Sequence, residues 1–235
     1  MDSEENYLMI GNTRWHWAIK KKERWEYFHT SPNPIEFKYQ DFSKLSWASV
    51  GPIPENIKLC SSNKIKLNDV PLTNLPSNLG VDRALASWSA FKKQSTLKRK
   101  KQDLIVIDAG TIFTITKITK KGEFAGGQLI PGLRLLLSSM ANGALNLENP
   151  IIDIIPPDTF QYETKKAMIR GSINCLIGLI LQTFEETKLP IWLCGGDASI
   201  ILKELQNKNI NIDIDHFPNL VLEGMIDIDK KINSN

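Results

Sequence analysis

What this sequence lacks excludes more than what it contains. Only three cysteines occur in 235 residues, Cys60, Cys175 and Cys194, and they are odd in number, far apart and without histidine close by. Neither a disulfide framework nor a zinc site is expected from that spacing, and a reducing cytoplasm suits the chain. Net charge is nearly absent, since 29 Lys and Arg against 26 Asp and Glu leave +3, too little to argue for nucleic acid or an anionic membrane as partner. The basic runs Lys20 to Lys22 and Lys98 to Lys101 read as solvated turns. No long apolar run is present. Gly171 to Phe184 is the longest uncharged, apolar-leaning stretch, but it contains Asn174 and Gln182 and is shorter than the ~20 residues of a membrane span. Asp2, Glu4 and Glu5 stand where a secretory leader would need cations and an apolar core. A soluble, cytoplasmic protein with neither membrane nor nucleic acid as partner is expected. Apolar residues at 42%, with 12 Pro and 14 Gly, exclude a disordered or collagen-like chain. The length suits one large domain or two small ones.

The same opening is written twice. From Tyr7 to His29 side chains alternate in steps of two, with Gly11-Asn12 and the cationic run at the turns, which predicts three antiparallel strands. Leu104 to Asp108, the turn Ala109-Gly110, Ile112 to Ile118, the turn Lys120-Lys121-Gly122 and a strand reaching Gly126-Gly127 repeat the pattern. Helical spacing follows each copy, through Val81, Ala84, Leu85 and Trp88, and through Leu133, Leu136, Leu137 and Met140, with Pro131 suited to the first turn of the second helix. A third amphipathic segment runs from Thr164 to about Phe184. Ile191 to Cys194 is expected as a buried strand stopped by Gly195-Gly196, Asp197 as the cap of a helix carrying Ala198, Ile201, Leu202 and Leu205, Ile210 to Phe217 as a further strand, and Asn219 as the cap of a last helix with Val221, Gly224, Met225 and Ile228 inward. Two α/β units result, residues 1–102 and 103–235, each opening with a three-stranded β-meander, and a cleft between them is the expected ligand site. Trp15, Trp17 and Trp25 are expected to pack in the sheet or core.

Gly11-Asn12-Thr13 and Asp108-Ala109-Gly110-Thr111 stand at corresponding hairpins. Glycine lets a ligand approach the backbone, exposed turn N–H groups attract anionic oxygens, and a threonine adds a hydroxyl donor. Either turn alone is ordinary hairpin chemistry; two copies that both keep the threonine point to phosphate. Asp82 is either a plain acid of a first helical turn or an acceptor for a hydroxyl proton. At a helix start the macrodipole favours the anion and is expected to lower its basicity, so proton transfer would come late. Arg83 can neutralise either a substrate carboxylate or phosphoryl charge. Asp108 ends an apolar strand, where a carboxylate is met by a cation or by backbone donors of its own turn. Gly195-Gly196 is either a nucleotide contact or a strand-to-helix turn.

Met9-Ile10-Gly11-Asn12-Thr13-Arg14, Gly80-Val81-Asp82-Arg83, Asp108-Ala109-Gly110-Thr111, Gly126-Gly127 with Ile130-Pro131-Gly132, and Thr164 with Met168 and Gly171 together resemble the type III pantothenate kinases. The family belongs to the sugar kinase, heat-shock ATPase and actin superfamily. The resemblance keeps its order along nearly the whole chain, from Met9 to Leu222-Glu223-Gly224. It implies two ribonuclease-H-like domains in a homodimer, and ATP-dependent phosphorylation of pantothenate, the first step of coenzyme A synthesis. It further implies that Met9, Ile10, Gly11, Asn12, Thr13, Arg14 and Thr111 contact ATP with its Mg2+. Gly80, Val81, Asp82, Arg83 and Thr164 would bind pantothenate, Asp82 would accept the proton, and Asp108 would hold a monovalent cation, K+ or NH4+.

Two positions depart from that family. Its members commonly carry Asp two residues before the first-turn glycine, where this chain has Met9, and a thioether is a poor ligand for magnesium. Either phosphates and water hold the magnesium, or Asp108 compensates, or transfer is weak. A tyrosine often precedes the Gly80 motif, and Leu72 to Asn78 supplies none. These departures leave one alternative of a different class, a catalytically weak dimeric nucleotide-binding or regulatory protein on the same fold. An actin-like or sugar-kinase relative fits less well, because those chains are generally longer and the Gly80 motif would go unexplained.

Overall fold

A computed structural model describes residues 5–32, 45–55, 57–97, 100–208 and 211–232. Alternation near the N-terminus becomes three antiparallel strands, β1 (Asn6–Ile10), β2 (Trp15–Lys21) and β3 (Arg24–Thr30), and β4 (Leu45–Ser49) adds in parallel to β1, giving the order β3-β2-β1-β4. The register explains the alternation. Leu8 pairs with Trp17 and Trp47, and Ile10 with Trp15, so one sheet face carries Leu8, Ile10, Trp15, Trp17, Leu45 and Trp47 as a buried cluster. The other face meets α5 (Leu220–Ile232) and α1 (Val81–Thr96), where the Tyr7 hydroxyl donates to Asp229 at 2.9 Å.

The second sheet has the order β7-β6-β5-β8-β9, from β5 (Leu104–Ala109), β6 (Ile112–Ile118), β7 (Phe124–Pro131), β8 (Ile191–Cys194) and β9 (Ile214–His216). Its helices are α2 (Leu133–Gly143), α3 (Thr164–Thr187) and α4 (Ala198–Asn207). Ile105, Ile107, Phe113 and Leu193 from the strands meet Leu133, Leu137, Ile173, Ile177, Ile180 and Ile201 from the helices in one core. The contacts define two compact units. Unit 1 takes Met1–Gln102, Thr116–Gly126 and Asn219–Asn235, and unit 2 takes Asp103–Ile115 and Gly127–Pro218. The last helix therefore packs with the first hundred residues: Leu85 lies against Gly224, and Lys93 pairs with Glu223 at 3.2 Å.

Several expectations are corrected here. The apolar stretch expected to be too short for a membrane belongs to α3, 24 residues and apolar enough to span one by length and composition. Half of its most apolar window is buried in the protein, and Met168, Ile169, Ile173, Leu176, Ile177 and Ile180 belong to the unit 2 core, so packing accounts for its composition. Pro131 ends β7 rather than entering α2, whose N-cap is Gly132. The strand expected over 210–217 is confined to Ile214–His216, with residues 209–210 outside the described set. Asp197 does occupy the N-cap of α4, yet its side chain makes no capping bond and lies 3.8 Å from Arg134 Nε. In the last helix Val221 is half-buried while Leu220 and Leu222 are buried. Trp15 and Trp17 are buried, and Trp25 meets Tyr7 edge to face.

Candidate active site

In unit 1 the turn after β1 is closed by its own backbone, Gly11 N–H donating to Arg14 C=O at 3.0 Å. Asn12 and Thr13 are exposed at its tip, and Gly11 and Arg14 are half-buried. The chain leaving β4 folds back on this turn, because Val50 and Gly51 both donate to the Ile10 carbonyl at 3.0 and 3.1 Å. Only glycine fits at position 51, where a Cβ would overlap the Gly11 carbonyl and come within 2.9 Å of Asn12 N. A Cβ on Gly80 would lie 3.7 Å from Val50 Cγ1, so α1 starts beside the segment that backs the turn. The Met9–Arg14 and Gly80–Arg83 motifs thus share one corner of unit 1.

Asp82 sits on the first turn of α1, and its Oδ1 accepts the Arg83 main-chain N–H at 2.8 Å. Burial raises the carboxyl above its ordinary 3.8 and outweighs the opposing backbone hydrogen bonds and the Arg83 charge. The expected drop in basicity is therefore corrected: at this helix start desolvation is the larger effect. The Arg83 guanidinium reaches the hairpin of β6 and β7, where Nε and Nη2 donate to Thr116 Oγ1 at 3.1 and 3.0 Å and the group lies 5.9 Å from the Phe124 ring. Leu72 to Asn78, the segment without tyrosine, is tied to the same hairpin by Thr73 N–H to Gly122 C=O at 3.0 Å and Phe124 N–H to Thr73 C=O at 2.9 Å.

Unit 2 builds the counterpart around Asp108. Asp108 pairs in register with Cys194 of β8, just as Met9 pairs with Ala48 of β4. Gly195 adopts φ +95° and presses on the Asp108 carboxylate and the Ala109 backbone, and Asp197 N–H donates to Ala109 C=O at 2.9 Å. Gly195-Gly196 is thus a strand-to-helix turn wrapped on the end of β5. Gly132 N–H donates to the Thr111 carbonyl at 2.9 Å, leaving the Thr111 side chain exposed. Thr164 is the exposed first residue of α3. Val50, Gly51, Thr116 and Phe124 were not singled out from sequence. Gly51-Pro52 after a short apolar strand was an available signal for the turn closure, but nothing in the sequence marks Thr116 or Phe124.

A family model described as type III pantothenate kinase matches residues 56–186, more than half of the chain. The chain belongs to the type III pantothenate kinase family. A protein named type III pantothenate kinase from Thermosynechococcus vestitus is 34% identical over 85% of this chain and 80% of its own. One from Synechococcus elongatus is 29% identical over 93% of each chain, and one from Flavobacterium johnsoniae 29% over 84% of this chain and 88% of its own. Among solved structures, a putative Baf family transcriptional activator from Campylobacter jejuni has a TM-score of 0.58 at 19% identity, covering 97% and 98% of the two chains. A putative 2-dehydro-3-deoxygalactonokinase from Sinorhizobium meliloti also reaches 0.58 at 10% identity, covering 97% and 96%. At these identities the structures establish the fold alone, a mixed α/β fold with two sheets. This type III pantothenate kinase phosphorylates pantothenate with ATP in coenzyme A synthesis, and Mg2+ accompanies the nucleotide in such kinases.

The side chains fit that ion only in part. Met9 is 3% exposed and offers a thioether, and no group of three or more His, Cys, Asp or Glu able to hold a metal occurs among the described residues. Asp108 is the one carboxylate at a strand end of the two turns. A cation carried by phosphates and water matches these side chains; an all-protein cage does not.

Proposed function

We propose that Asp82 accepts the proton of the pantothenate primary hydroxyl while the Gly80–Arg83 segment and Thr164 bind the substrate. The observation that carries this reading is the Asp82 carboxyl, oriented by the Arg83 N–H at 2.8 Å and made more basic by burial. A carboxylate with a raised pKa is a better acceptor near neutral pH than an ordinary aspartate. Met9–Arg14 and Thr111 bind ATP through exposed turn backbone and the Thr13 and Thr111 hydroxyls. The magnesium, when bound with ATP, neutralises phosphate charge, and Arg83 adds a fixed positive charge at the substrate end. Asp108, a carboxylate against the backbone corner of Ala109 and Gly195, suits a monovalent cation, K+ or NH4+.

The two units are ribonuclease-H-like domains, a reading supported by meander openings in which β1 and β5 each gain a parallel neighbour, β4 and β8. The enzyme is a homodimer. Leu145, Ile151, Ile154, Phe160 and Tyr162 lie exposed along the segment before Thr164, an apolar strip of the kind that marks protein contacts. Free Cys60 and Cys175 on the surface agree with the cytoplasm.

Asp82→Asn tests the central assignment. The variant keeps its circular dichroism and loses about 10²- to 10⁴-fold in kcat, the usual worth of a general base. The acidic limb of the wild-type kcat/KM profile lies above the ordinary 3.8 of aspartate, because the raised group must be deprotonated to act. A variant with full turnover removes Asp82 from the role.

A further inference from the structure

We infer that Thr116 and Phe124 are the seat that holds Arg83 for the carboxylate of the substrate, an inference that rests on the substrate role proposed above for Gly80–Arg83. Arginine has four rotatable side-chain bonds, and an exposed one must lose much of that freedom to meet a ligand. Arg83 is already held. Its Nε and Nη2 both donate to one acceptor, Thr116 Oγ1, at 3.1 and 3.0 Å, which fixes one edge of the guanidinium. Phe124 lies 5.9 Å from the guanidinium carbon and restrains its face. Thr116 is itself 2% exposed, so its hydroxyl is a rigid acceptor and not a surface group that water replaces.

The seat is anchored to the helix that carries Asp82. Gly122, at the tip of the β6 and β7 hairpin, packs on the ring of Phe91 from α1, and Thr73 bridges the hairpin at Glu123. The hairpin belongs to unit 1 together with α1. One short segment therefore serves both ends of the substrate: the Arg83 main chain orients the Asp82 carboxylate for the reacting hydroxyl, and its side chain runs to a separate fixed point. A planar guanidinium pinned in this way recognises a group that is charged before the reaction starts. Pantothenate carries a carboxylate remote from its primary hydroxyl, so Thr116 and Phe124 act as positioning residues for ground-state binding.

Steady-state kinetics of Arg83→Gln, Thr116→Val, Thr116→Ser and Phe124→Leu test this, with pantothenate and with the analogue whose carboxylate is reduced to an alcohol. Thr116→Val raises KM for pantothenate about tenfold, as loss of a hydrogen bond to a charged group does. Its kcat and KM for ATP stay within about twofold of wild type. Thr116→Ser restores the wild-type KM, Phe124→Leu raises it less than Thr116→Val does, and wild type and Thr116→Val handle the alcohol analogue alike. The seat is overturned if Thr116→Ser is as impaired as Thr116→Val, if kcat falls in place of KM, or if the alcohol analogue shows the same rise. If Arg83→Gln raises KM while Thr116→Val does not, the seat fails and the substrate role of Arg83 stands; if Arg83→Gln changes neither constant, that role itself falls. Thermal melting of each variant checks the fold, and Thr116→Ala gives the same reading should the valine variant not fold.

Discussion

Met9 and Asp108 occupy matching places in the two units. Each stands two residues before a turn glycine, at the end of the lead strand of a meander, with a parallel strand beside it: Met9 against Ala48, Asp108 against Cys194. Each turn is backed by a glycine from the chain leaving that parallel strand, Gly51 in unit 1 and Gly195 in unit 2. The backbone solution is shared, and the side-chain chemistry is not. Unit 1 buries a thioether at this place and presents Asn12 and Thr13, whereas unit 2 places a carboxylate there. Turn geometry and turn charge are separable features of this fold.

The largest expected effect tests the shared backbone. Gly195→Ala must place a side chain at φ +95° and into the Ala109 backbone, and should destabilise by about 3–4 kcal/mol in urea unfolding. Gly51→Ala meets only the close approach to Gly11 and should cost about 2–3 kcal/mol. The reverse order would mean the two turns are not backed in the same way.

A smaller effect separates the sheets by pH. His16, across from His29 with ring centroids 6.3 Å apart, is held down to about 4 by burial first and then by the charges of His29 and Arg14. Unfolding returns it towards 6.5, so the unfolded chain binds more protons between those values and stability falls as pH drops from 6.5 to 4. His16→Gln should flatten that fall by up to about 3 kcal/mol at pH 4, read from denaturant midpoints; an unchanged slope removes His16 from the acid response.

Charge at the two strand ends comes next. If Asp108 holds the monovalent cation as proposed, Asp108→Asn should abolish any dependence of the rate on K+ and lower kcat/KM about tenfold, the scale of one lost charge-assisted contact. Isothermal titration of the cation checks it independently of turnover. Met9→Asp, which makes unit 1 resemble unit 2, should lower the Mg2+ concentration for half-maximal rate only a few-fold, because phosphates already supply most ligands. An effect of Met9→Asp as large as that of Asp108→Asn would mean that the charge difference between the two turns does not set the cation demand.

Much of the fold was legible because its signals are local. Two-residue alternation around Trp15, Trp17 and Ile19 encodes a strand, and the spacing of Val81, Ala84, Leu85 and Trp88 encodes a helix. Turn glycines at 11 and 110 could be read for the same reason. The basicity of Asp82 was misjudged because sequence reveals the helix start but not how far packing removes the carboxyl from water. Thr116 and Phe124 were invisible because they lie more than 30 residues from Arg83 and look like ordinary strand residues.

By itself the sequence determined the element types, the repeated meander and the motif order that marks the family, since periodicity and turn chemistry act over a few residues. Tertiary structure decided which distant groups meet: Gly51 on Gly11, Gly195 on Asp108, α5 on α1, and Thr116 under Arg83. It also decided the direction of the Asp82 shift, because desolvation depends on everything packed around a charge and not on its neighbours in the chain.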